Sequence, residues 1–163
     1  MTTIRLALSR LLPTLLVAAA LATSLVGVTA AYAGGATFER AGAAISGYDP
    51  VAYFRENQPR QGSRDFSAAH GGATYLFSSA ANRDIFVAQP DKYAPQFGGY
   101  CAYGASRGYK AATDPKAFSV VDDKLYLNYN TQVQDLWRAD IPGLVKKAEA
   151  QWPQVRQTEK VYE

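Results

Sequence analysis

The feature that most restricts this chain is a block at its start. No charged residue lies between Arg10 and Glu39, and the run LLPTLLVAAALATSLVGVTAAYA fills most of that interval. Arg5 and Arg10 precede the run, and Ala31-Tyr32-Ala33 closes it. A basic start, an apolar middle and an A-x-A end form the pattern of a secretory signal peptide, here residues 1–33 with cleavage expected after Ala33. There is no Arg-Arg pair, which points to the general secretory route, and no Cys follows the run to take a lipid. The alternative is an uncleaved anchor, since about 20 apolar residues span a bilayer. The first reading gives an exported, periplasmic protein, and the second limits membrane contact to this one segment. In both, the fold is built from the residues after Ala33.

The chain has 163 residues, with 17 Lys plus Arg against 14 Asp plus Glu. Two of those basic residues and none of the acidic ones fall within 1–33, so the mature chain is close to neutral. Lys and Arg are scattered singly apart from Lys146-Lys147, which leaves a nucleic-acid partner without support. A charged fraction of 19% with 12% aromatics is not that of a disordered chain. One Cys and one His exclude an internal disulfide, a CxxC pair and a zinc cluster made of Cys and His alone. In an oxidising compartment the lone Cys101 must be buried, bound, reactive, or paired with a thiol of another protein.

The mature chain reads as a single small α+β domain of about 115 residues, with antiparallel hairpins packed against helices and further helices at the C-terminal end. Residues 34–47 are small and polar and read as a flexible lead-in, the domain occupies 48–153, and 154–163 is a tail. In YDPVAYF, Asp49 is placed to cap a helix whose first turn holds Pro50. Phe66–Ala69 and Thr74–Phe77 form one expected hairpin, Phe118–Val121 and Leu125–Tyr129 another. Ser78 or Ser79 starts a helix that stops at Pro90, and Asp140-Ile141-Pro142 breaks the helical tail. Val133, Leu136 and Trp137 share one face of that tail. Residues 96–109 (QFGGYCAYGASRGY) read as a Gly/Tyr-rich loop. No internal repeat is visible in the mature chain.

YDPVAYF, then GATYLFSSAANRDIFVAQPDKYAPQFGGYCAYG, then LYLNYN and the Trp-containing tail resemble the YHS-domain family of exported bacterial proteins. The resemblance runs from Tyr48 to Trp152. The wider YHS and TRASH-type domains are cysteine-based metal modules, and their three thiols would fall at Ala52, Ser78 and Asn82, so that metal chemistry does not transfer. Phe77 and Phe86 keep the spacing of the family's Phe-Cys-Ser-x-x-Cys run, which implies the shared fold. The exported branch keeps Gly-Gly-Tyr-Cys-Ala-Tyr-Gly, and some relatives have selenocysteine at the place of Cys101. That likeness implies chemistry at the sulfur.

Cys101 is thus the catalytic candidate, as a redox thiol, and a buried structural Cys is the other reading. Gly98 and Gly99 with Tyr100 and Tyr103 are the candidate ligand surface. Arg107 or Lys110 would favour a thiolate if the loop folded back on them. A metal site would combine Cys101 with His70 and a carboxylate such as Asp49 or Asp114, suiting copper or another transition metal; a solvent-exposed turn histidine is the ordinary alternative. The functional expectation is thiol redox or metal handling in the cell envelope, with an envelope redox or metal protein as partner. The alternative is a non-catalytic binding module using the 96–109 loop. No hydrolase or nucleotide motif is present, so no acid/base pair of an enzyme can be named.

Overall fold

The computed structural model describes residues 37–163. The proposed signal peptide lies outside them. The described residues form one small α+β domain whose strands pair as two-stranded units, three antiparallel and one parallel. The elements run β1 (Glu39–Arg40), β2 (Ala43–Ala44), a 3-10 turn (Ile45–Gly47), α1 (Pro50–Arg55), β3 (Ser63–His70), β4 (Ala73–Phe77), α2 (Ala80–Ala88) and α3 (Pro90–Tyr93). A second 3-10 turn (Gln96–Gly99), α4 (Ala102–Ser106), β5 (Lys110–Ala111), β6 (Asp114–Val121), β7 (Lys124–Asn128), α5 (Thr131–Arg138), α6 (Ile141–Val155) and β8 (Val161–Tyr162) complete the order. No helix among the described residues is long and apolar enough to cross a membrane.

The second half repeats the first, which the sequence does not reveal. Each unit begins with a 3-10 turn carried by left-handed backbone, Ile45-Ser46-Gly47 in one and Phe97-Gly98-Gly99 in the other. Each continues through a tyrosine to an N-cap residue, Asp49 for α1 and Cys101 for α4. The N–H of Asp49 donates to Arg60 O at 2.8 Å and that of Cys101 to Ala111 O at 3.0 Å. A hairpin comes next, with an irregularity at the same place. Ser63 pairs with Phe77 and Ser67 with Leu76, while Asp114 pairs with Asn128 and Phe118 with Leu127. Both hairpins close on two residues of positive φ, Gly71-Gly72 (59° and 81°) and Asp122-Asp123 (49° and 55°). That is the geometry of a type I′ turn, which glycine and aspartate both supply. Ser79 then caps α2 and Asn130 caps α5.

The two units share a core because successive side chains of a strand point to opposite faces. Leu125 and Leu127 of β7 join Val51, Tyr53, Tyr75, Phe77 and Phe86 of the first unit. Tyr126, between them, joins Phe97, Ala102, Ala105, Trp137, Leu144 and Ala148 of the second. Ala102 and Ala105 of α4 and Ala148 of α6 are small enough to let these helices approach closely. Each fully buried aromatic or aliphatic side chain contributes about 1.5–3 kcal/mol, so β7, buried on both faces, anchors the domain.

Two boundaries and one helix face differ from the sequence reading. Residues 37–47, expected as lead-in, belong to the fold: Phe38, Ala43, Ala44 and Ile45 are buried, and small side chains there reflect tight packing. The tail is ordered too, since α6 runs to Val155 and β8 lies parallel to β5. Leu136, expected inside, is 54% exposed, while Gln134 takes the inward place and donates to Phe118 O.

Candidate functional site

Asp49 shows what this frame holds in the first unit. It is fully buried, and Oδ1 accepts from the N–H groups of Val51 (2.9 Å) and Ala52 (3.3 Å). Its Oδ2 accepts from the Ser78 N–H (2.9 Å), the Ser78 hydroxyl (2.7 Å) and Asn82 Nδ2 (2.7 Å). A carboxylate is costly to bury unless its lone pairs are filled, and here donors from α1, from the end of β4 and from α2 fill them. The site is closed, and the carboxylate ties these elements together.

Cys101 holds the same place in the second unit, and there the surroundings differ. Its sulfur accepts from the Gly104 N–H at 3.4 Å, and the N–H groups of Tyr103 and Tyr129 favour a negative charge on it. Tyr129 is the counterpart of Ser78, so the backbone donor survives although the side chain has changed. Val133 is the counterpart of Asn82, whose amide donor is lost. Tyr129 and Val133 instead form the wall of a hollow of about 370 Å³, together with Cys101, Tyr109, Ala111, Tyr162 and Glu163. Two larger hollows, of 520 and 500 Å³, border α6 and the Asp114 end of β6 and contain no thiol.

Asn128, the counterpart of Phe77, completes the surroundings of the sulfur. It is fully buried, its Oδ1 faces Cys101 Sγ at 3.9 Å, and the same oxygen accepts from the Tyr103 N–H at 3.4 Å. Among the described residues its Nδ2 has no hydrogen-bond partner. Burial pushes the Cys101 thiol above its ordinary pKa, against the opposing pull of the Gly104, Tyr129 and Tyr103 N–H groups. The Tyr109 phenol is raised as well, by burial first and then by the repulsion that a negative Cys101 would exert. The resting group is therefore a neutral, buried thiol, 1% exposed, on the wall of a mostly apolar and aromatic hollow that also carries Glu163. Any reagent that attacks it must first draw out the thiolate that burial disfavours.

The other expected site residues lie elsewhere. Tyr100 is 3% exposed and packs with Phe38 and Ala112, so it is core and not ligand surface. Tyr103 is half-buried with its hydroxyl held by Arg107 Nη2 at 2.8 Å. Gly98 and Gly99 shape the turn before α4, and the Gly98 carbonyl accepts from the Phe38 N–H at 2.7 Å. Lys110 Nζ donates to Thr158 O at 2.8 Å and lies over the Tyr100 ring, so the expected thiolate-stabilising cations are engaged away from the sulfur. His70 ends β3 with Nε2 3.3 Å from Asp91 Oδ1 and packs edge-on against Phe86. Among the described residues no group of three or more His, Cys, Asp or Glu side chains is placed to hold a metal ion.

The sequence reading missed Asn128, Val133, Ala111, Tyr162 and Glu163 as neighbours of the thiol. The alignment of the two units, Asp49 with Cys101 and Ser79 with Asn130, would have pointed to Asn128 and Val133, while Tyr162 and Glu163 come from β8, which has no counterpart in the first unit. Comparisons with protein-family models, with curated proteins and with solved structures find no match.

Proposed function

We propose that this is an exported YHS-type protein of the cell envelope whose Cys101 thiol undergoes redox chemistry with small molecules that enter the adjoining pocket. The observation that carries the reading is the thiol on the wall of a 370 Å³ hollow, at the frame position where the other unit keeps a sealed carboxylate. Tyr129 and Val133, which stand where Ser78 and Asn82 close the first site, line that hollow, and the sulfur on its wall is itself buried, 1% exposed. A second envelope protein supplying or removing electrons is the partner this reading calls for. The metal-handling alternative draws nothing from the geometry, because His70 is held by Asp91 and Phe86.

Labelling of the mature protein with iodoacetamide, a small uncharged reagent, tests the proposal. The expected result is one adduct, at Cys101, formed by the folded protein, and its slowing by at least tenfold in Val133→Trp, which fills the pocket. A thiol that reacts only after denaturation would overturn the reading. The neutral state of the thiol favours a second reading, a non-catalytic binding module in which Tyr109, Tyr129 and Tyr162 hold an aromatic or apolar ligand. Under it, Cys101→Ser keeps ligand binding in full.

A further inference from the structure

We propose that the surroundings of Cys101 form a site for an oxidised sulfur, in which the Cys101 sulfinate takes the place that the Asp49 carboxylate takes in the first unit. The inference rests on the thiol redox reading and names the product that this frame holds. Its first support is the orphaned amide of Asn128. A fully buried Nδ2 without a partner, on a side chain that faces the sulfur at 3.9 Å, is a donor waiting for an acceptor. The second support is Asp49, which shows that the shared frame accommodates a singly charged group with two oxygens on one atom.

The reduced sulfur takes one of these donors, the Gly104 N–H at 3.4 Å. Its S–H faces Asn128 Oδ1, so that the amide presents oxygen where an anion needs nitrogen. Sulfur-bound oxygens reach one bond further outward. One is placed to take the N–H groups of Tyr103 and Gly104, as Asp49 Oδ1 takes those of Val51 and Ala52. The other is placed for the Tyr129 N–H, as Asp49 Oδ2 takes that of Ser78, and for Asn128 Nδ2 once the amide has turned over. A third oxygen would find no donor, so oxidation is expected to stop at the sulfinate.

The co-reactant is a hydroperoxide, ROOH, small or apolar enough for the pocket. In the first step the O–O bond breaks, a sulfur–oxygen bond forms, the thiol loses two electrons to become the sulfenic acid, and ROH leaves. A second ROOH repeats the exchange, giving the sulfinic acid and another ROH, and the acid's proton passes to solvent.

Hydrogen peroxide and cumene hydroperoxide, added separately to the mature protein and followed by intact mass and peptide mapping, test this. The expected result is a gain of two oxygen atoms at Cys101, no third, and a melting temperature no lower than that of the reduced protein. Cys101→Asp, which imitates the sulfinate, is expected to melt about 4 °C above Cys101→Ala. In Asn128→Leu the oxidised form is expected to lose that stability and to melt below the reduced form of the same variant. If the folded protein gains no oxygen and also resists iodoacetamide, the thiol redox reading falls with this one. If Cys101 does react but the oxidised protein and Cys101→Asp are both destabilised, or Asn128→Leu behaves as the wild type, the sulfinate site alone is overturned.

Discussion

Replacing Asp49 by alanine separates its role from that of Cys101. The substitution deletes the N-cap of α1, which contributes about 1 kcal/mol in ordinary helices. It also strands the Ser78 N–H and the Asn82 amide, held now at 2.9 and 2.7 Å in a closed site. Each such orphan costs about 1–3 kcal/mol. The Ser78 hydroxyl can turn elsewhere and adds little, so the expected loss is about 4 kcal/mol, a large share of the 5–15 kcal/mol that typically holds a domain together. Urea unfolding followed by Trp fluorescence measures it, and with a slope of about 2 kcal/mol per M the midpoint falls by about 2 M. The equivalent Cys101→Ala removes a buried sulfur that borders a hollow and ties no side chains together, so its cost is about 1–2 kcal/mol. Equal losses at the two positions, or a loss below about 1 kcal/mol for Asp49→Ala, would refute the division between a structural carboxylate that ties elements together and a sulfur that borders a hollow.

The packing and the charge state lead to two further outcomes. The folded thiol titrates above its ordinary value of 9.0, so as pH rises the unfolded chain releases this proton first and binds fewer protons than the folded one. The wild type therefore keeps its full stability below the ordinary thiol value and loses it as pH rises beyond that. Cys101→Ser lacks this dependence, and indistinguishable slopes in urea unfolding of the two proteins from about pH 7 to about pH 10 would contradict the assignment. Gly62 lies flat against β4, where an added Cβ would sit 2.5 Å from Leu76 C and 2.7 Å from Leu76 Cβ. Gly62→Ala is expected to lose about 2 kcal/mol or more by displacing backbone, read from the same unfolding curves.

The local signals in the sequence are the ones the structure follows. Asp49 before Pro50, the hairpins on either side of Gly71-Gly72 and Asp122-Asp123, and the Asp140 break rest on capping and turn chemistry confined to a few residues. Ser79 proves to be the cap of α2, while Ser78, the other candidate, turns inward to Asp49. The duplication was hidden because its equivalent positions carry different chemistry: Asp49 and Cys101 share a backbone role, as do Asn82 and Val133, but no residue type. Helix α4 was missed because Gly104 and its neighbours carry no apolar period, and its course is fixed by α6. Tyr100 could not be placed inside from sequence, since its burial depends on Phe38, Ala112 and Lys110, residues distant along the chain. The candidate sulfur was legible as the only cysteine, and its neighbours were not, because they come from β5, β7, α5 and β8.

The small strand β8 bears on the order in which the domain is completed. The hairpins and the helices they cap are local and form on the fast timescale of hairpin and helix formation. Strand β8 can pair with β5 only after most of the chain between them has folded, against the entropy of closing that long loop. Tyr162 and Glu163, which it carries, are part of the pocket wall, and Glu163 joins Arg40 near the start of the domain. The wall beside Cys101 is therefore complete only when β8 is docked, and the same strand closes over Phe38, Tyr100 and Ala112 through Val161.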